Sequence, residues 1–294
     1  MISVLYENAF MREERAGVYQ SESLFLIGIK RSMKNSGTWV GLLTGACIAL
    51  TQIFREQVPA SLANHTLFYE KFRSLQPNIA SVNCMIGSGT SVEAFLFFML
   101  LPIIASMPYA ITFFEDLHAG YLKSILVRVD RRKYLQTKFC GSIIAGAIIT
   151  MLPLLMNYLF SLVLLPNLLP SSIFGNGISI TTPGYQLYFS HPTVYLLLFI
   201  LFDGLIGGFY AGIALLCCFL SDYLVVVIII PFFLQLIWHI LCSVTGMYDF
   251  SPIYFSMAGY GSTVHPLYAG LAIAAALVLL FFIFIKKGMK EDIQ

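Results

Sequence analysis

The sequence predicts an all-α integral membrane protein with six transmembrane helices, and three observations carry that prediction. Of its 294 residues, 58% are hydrophobic and 11% charged, with a mean hydropathy of +0.82. Soluble domains run near half apolar and a quarter charged, so much of this apolar surface needs lipid as its solvent. Six apolar runs approach the ~20 residues of helix that cross ~30 Å of hydrocarbon. They are 38–54, 92–114, 139–165, 193–219, 224–243 and 266–285. Finally, lysine and arginine crowd alternate connections, as they do when one side of a membrane holds the positive charge.

The spans follow in order from these patterns. Residues 1–37 form a cytoplasmic lead-in, in which 23–36 (SLFLIGIKRSMKNS) sets Leu26, Ile29 and Met33 against Lys30, Arg31 and Lys34. That amphipathic division suits a helix lying at the membrane surface. The same 37 residues carry Glu7, Arg12, Glu13, Glu14, Arg15 and Glu22 and no short apolar core of a cleavable signal, so the expectation is insertion through internal spans. The outer loop 55–91 is polar with scattered aromatics and long enough for a small folded cap. The connection 115–138 lies between spans 2 and 3, and only LSDY (220–223) separates spans 4 and 5, which makes them a tight helical hairpin. Residues 166–192 read as a coreless loop. Residues 244–265 are aromatic, nearly uncharged and broken by glycine and proline, which suits a re-entrant or interfacial segment before the last span. Residues 286–294 form a cytoplasmic tail.

Counting basic residues fixes the expected orientation. Arg12, Arg15, Lys30, Arg31 and Lys34, then Lys123, Arg128, Arg131, Arg132, Lys133 and Lys138, then Lys286, Lys287 and Lys290 fall on one side. Arg55, Lys71 and Arg73 fall on the other. Six spans and two cytoplasmic termini agree in parity, placing the chain as a multi-pass protein of the cytoplasmic membrane. The six cysteines show neither CxxC nor metal spacing; Cys84 in the outer loop and Cys242 at a span end are the one conceivable pair.

The stretch 113–139 holds nine of the 32 acidic and basic residues of the chain. Leu122, Ile125, Leu126 and Val129 recur at i, i+3, i+4 and i+7, one apolar face of a short helix, with Lys123, Arg128, Arg131 and Arg132 elsewhere around it. By charge alone this is either an anchor on anionic headgroups or a protruding helix whose apolar face enters a groove on a soluble partner.

From PYAITFFEDLHAGYLKSILVRVDRRKYLQTK onward the chain resembles the membrane subunits of type-2 ATP-binding-cassette (ABC) exporters. Glu115 at the end of span 2, Gly120, the leucine-rich face of Leu122 and Leu126, then Arg131 and Lys138 match that family's pattern, while Val129 and Asp130 stand where it often has a proline. The resemblance implies that the helix after span 2 is a coupling helix, with Glu115, Gly120, Leu122, Ile125, Leu126, Arg128, Arg131 and Arg132 meeting a separate ATP-hydrolysing subunit. It also implies a second permease copy or a homologous permease. ATP and magnesium would then bind the partner, since no GxxxxGK[ST] occurs in this sequence. No HExxH, GxSxG or paired-carboxylate motif supports an enzyme, and nothing points to nucleic acid.

Other residues stand out within the spans. Asp203 lies deep in span 4, where a charge costs several kcal/mol unless it is paired or protonated. It is either a proton or cation site of a secondary transporter or a structural hydrogen-bonding group, with His239 and Asn157 as conceivable partners. Gly204, Gly208 and Gly212 on span 4 and Gly41 with Gly45 on span 1 repeat at four-residue spacing, which lets helix backbones approach, within the chain or across a dimer. Pro102, Pro108 and Pro231 permit kinks. By the family likeness, spans 2 and 5 face a translocation path lined by Phe98, Leu101, Met107, Phe232, Phe233 and Trp238. An aromatic, methionine-bearing wall suits an amphipathic cargo such as a peptide, an antibiotic or a lipid-like molecule, and it equally suits plain helix packing.

Overall fold

The computed structural model describes residues 25–26, 28–63, 81–89, 91–118, 129–167, 169–170, 178 and 182–290. Among these the secondary structure is entirely helical, and six helices are long and apolar enough to cross a membrane. Helix α1 (28–34) leads into α2 (Ser36–Gln52), which continues through a π-helical turn (Ile53–Gln57) into α3 (Val58–Ala63). Then come α4 (Val92–His118), α5 (Arg131–Leu164), the short α6 (Tyr185–Ser190) and α7 (Pro192–Cys217). Helix α8 (Leu224–Val244), the short α9 (Pro252–Ser256) and α10 (Pro266–Lys290) complete the chain.

Two boundaries differ from the sequence reading. The first helix does not stop at residue 54. It runs on to Ala63 because the wider π turn rotates Gln52 and Gln57 inward, where buried polar groups receive them. Helix α5 begins at Arg131, eight residues before the apolar run, because Tyr134, Leu135 and Lys138 bury against neighbouring helices. With α4 extending to His118, the connection between spans 2 and 3 shortens to residues 119–130.

Helices α4, α5 and α7 form the centre. A cluster around Phe97, Phe98, Leu101, Leu154, Leu196 and Ile200 fills one end, and a second around Tyr109, Phe113, Phe139, Leu215 and Phe284 fills the other. Without a hydrophobic force to join helices in lipid, close backbone approach takes its place. A Cβ at Gly146 would sit 2.9 Å from the Gly207 carbonyl, and one at Gly207 would sit 2.9 Å from the Gly146 carbonyl. Helices α5 and α7 therefore touch backbone to backbone. By contrast α8 and α10 bury little of themselves.

At the end opposite the basic residues, 81–89 seat on the bundle. The Gly259 amide donates to the Gly87 carbonyl (2.7 Å), and a side chain at Gly259 would collide with the backbone of Ser88. The Tyr195 hydroxyl donates to the Ala258 carbonyl (3.1 Å), tying the segment before α10 to α7.

Candidate functional site

The basic end of the bundle carries a buried ionic cluster centred on Asp116. Its side chain is fully buried. It pairs with Arg31 of α1 at one oxygen, and with Lys138 of α5 at the other (2.7 Å). The Tyr134 hydroxyl donates to that second oxygen at 3.2 Å. The Lys138 ammonium stands 5.4 Å from the Tyr134 ring centroid and 5.7 Å from that of Tyr109, within cation–π range. Two cations and a phenol around one carboxylate offset the cost of taking it out of water.

The packing beneath the cluster is tight. Tyr109 wedges between α1 and α5: a Cβ at Gly28 would lie 2.6 Å from its hydroxyl oxygen, and one at Gly141 2.7 Å from its ring. Gly37, which opens α2, presses against Ile111 of α4, with the Met107 carbonyl 3.3 Å from where its Cβ would be. The helix before span 1, the end of span 2 and the start of span 3 are thus fixed to one another where 119–130 leaves and re-enters the bundle.

Of the two adjacent acids that end span 2, one is exposed and the other buried. Glu115, matched to the family pattern, is exposed, and Asp116 holds the cations. Helical phase distinguishes the two, because Asp116 shares a face with Tyr109, Thr112 and Phe113, all buried. Arg131 is half-buried and Arg132 exposed at the start of α5. Gly120, Leu122, Ile125, Leu126 and Arg128 lie outside the described residues.

The other singled-out residues scatter. Asn157 is a hub at the far end: its amide donates to Gln52 (2.8 Å) and to the Ala49 carbonyl (3.2 Å), and its oxygen accepts from the Ile86 amide (3.0 Å). His239 meets the Ser251 hydroxyl (2.7 Å). Neither accounts for Asp203, which is buried and whose Oδ1 has no hydrogen-bond partner among the described residues. The cysteines, Cys84 and Cys242 included, are free.

Phe98 and Leu101 bury in the core of this chain, Met107 and Phe232 are half-buried, and Phe233 and Trp238 lie on the exposed face of α8. Gly41 and Gly45 face α4 and α5 (Ile104 carbonyl 3.2 Å, Pro153 Cγ 2.8 Å from their would-be Cβ atoms). Gly204 and Gly208 face Met151 and Ile143 of α5, and Gly212 has ordinary room beside Phe139 (3.5 Å). Gly146 and Gly207, which make the closest crossing, were not singled out, because their spacing shows only when the two helices are set side by side. Among the described residues no group of three histidine, cysteine or acidic side chains is placed to hold a metal ion.

No known protein-family model matches this chain, and a search of curated proteins likewise finds no match.

Proposed function

We propose that this chain is the membrane permease subunit of an ATP-driven exporter of the ABC type. A separate subunit would hydrolyse ATP, and two permeases, identical or homologous, would move an amphipathic cargo. In this reading the basic end faces the cytoplasm, both termini lie there, and residues 119–130 present the coupling helix. The observation that supports it best is the Asp116 cluster. A load applied to the connection between spans 2 and 3 would reach α1, α4 and α5 together, because Arg31, Asp116 and Lys138 join them at its two roots.

Co-purification tests it: a tagged chain extracted in mild detergent should carry an ATPase with it. Reversal of Arg128 and Arg132 to glutamate should release that ATPase while membrane insertion, read by protease accessibility of the termini, stays the same. Recovery of the chain without any ATPase, or transport that survives the reversal, overturns the assignment. The unpartnered oxygen of Asp203 favours a second reading, a proton- or cation-coupled transporter. Under it Asp203→Asn abolishes transport while expression holds; unchanged transport discards it.

A further inference from the structure

The segment between α8 and α10 carries a constellation that the transport reading does not use. Tyr254 and Tyr260 stack with centroids 4.6 Å apart and planes 20° from parallel. Tyr248 stands 6.4 Å from Tyr254 at 74°, so a second ring edge is set across the first pair. The His239 ring packs behind Tyr254 at 5.6 Å. Asp249 follows Tyr248 directly in this segment. Its Oδ2 accepts from the amide of Thr263 (3.1 Å) and from the Thr263 hydroxyl, which holds the carboxylate in one orientation. Burial first, and then the negative charge of Asp249, raise the Tyr260 phenol above its ordinary pKa.

A belt of tyrosines at a membrane boundary needs no charge of its own. Here residues 244–265 contain one carboxylate and no lysine or arginine, and among the described residues no cation pairs with Asp249. Tyr248 is 46% exposed and Asp249 half-buried, so the arrangement opens outward. Tyrosine faces attract large, weakly hydrated cations, and a fixed carboxylate adds the opposite charge. One carboxylate without further oxygen or nitrogen ligands is a poor site for a small metal ion. We propose that Tyr248, Asp249, Tyr254 and Tyr260 form a binding site for an organic ammonium group, at the end of the bundle away from the basic residues. The ammonium arrives either as the headgroup of a lipid in the surrounding leaflet or on a dissolved amine. The site does not depend on the ATP-driven reading, because binding is measured without a partner subunit.

The test uses the full chain with Trp39→Phe, so that Trp238 is the remaining tryptophan. Its indole donates to the Phe250 carbonyl (3.1 Å), beside Asp249, and reports on this segment. In nanodiscs of phosphatidylglycerol, which offer no lipid ammonium, choline chloride should change Trp238 fluorescence saturably in the millimolar range or below. Equal ionic strength of sodium chloride, and the uncharged isostere 3,3-dimethylbutanol, should not. Asp249→Asn should weaken the response about tenfold, and Tyr248→Leu, at an exposed ring, about threefold, in line with one cation–π contact. In phosphatidylcholine nanodiscs, loss of the choline response assigns the site to lipid headgroups, and a retained response assigns it to dissolved amines. No saturable response in phosphatidylglycerol, a response equal for the isostere, or one untouched by Asp249→Asn overturns the proposal.

Discussion

Replacing Gln235 by leucine should loosen α8 from α4, and by an amount set by a proline on the other helix. Pro102 has no N–H, so the Phe98 carbonyl, four residues earlier in α4, loses its helical partner. Gln235 of α8 supplies the missing donor: its Nε2 lies 2.8 Å from the Phe98 carbonyl and 3.4 Å from that of Met99, and the side chain is 4% exposed. A buried acceptor left without a donor costs ~1–3 kcal/mol. Hydrogen bonds between helices in a bilayer average nearer ~0.6 and reach ~1.7 kcal/mol. Gln235→Leu should therefore destabilise the chain by about 1.5 kcal/mol. In a Pro102→Ala background the alanine amide satisfies the same carbonyl, and the substitution should cost about 0.5 kcal/mol or less. Reversible unfolding in mixed micelles, followed by Trp238 fluorescence in the Trp39→Phe chain, measures all four corners of this double-mutant cycle. An equal cost of Gln235→Leu in both backgrounds would refute the link between proline and glutamine.

Lys138→Met leaves Asp116 buried with Arg31, whose side chain is 41% exposed, as its remaining cation, and should cost about 3 kcal/mol in the same unfolding assay. The pair Asp116→Asn with Lys138→Met should cost less than Lys138→Met alone, since no fully buried charge then lacks a partner and the Arg31 side chain that remains is 41% exposed. Cys84 should resist alkylation: burial first, then the nearby Glu56 carboxylate, raise its thiol from 9.0 to about 11. At any pH below 9 its thiolate fraction is therefore roughly a hundredfold below that of an ordinary cysteine. Labelling by a maleimide, followed at the peptide level by mass spectrometry, should stay slow until the pH nears that value, and Glu56→Gln should speed it.

The existence and order of the six long helices were legible in the sequence, because a bilayer demands long apolar runs and little else. Facing was not. In a water-soluble helix the polar side marks the outside, but here Phe233, at 52% exposure, and Phe98, at 2%, are the same residue type facing opposite surroundings. Glu115 and Asp116 are likewise neighbouring acids with opposite surroundings, the first exposed and the second buried. Helix ends were blurred for a related reason. Arg131–Lys138 reads as polar connection until Lys138 finds Asp116, and Arg55–Gln57 reads as loop until a π turn delivers Gln57 to Asn157. The donor that Gln235 gives to a proline-freed carbonyl belongs to the same class. It joins residues far apart in the chain, which no local pattern connects.

The crossing of α5 over α7 restricts how such a body is able to deform. With Gly146 and Gly207 in bare contact, there is no side chain between them to change rotamer and absorb sliding. The two helices form a keel that resists sliding at this crossing, so rearrangement within the bundle is constrained to leave it intact. A bulkier residue at either glycine would force the keel apart and splay the whole hull, so this one pair of hydrogens for side chains sets the beam of the vessel.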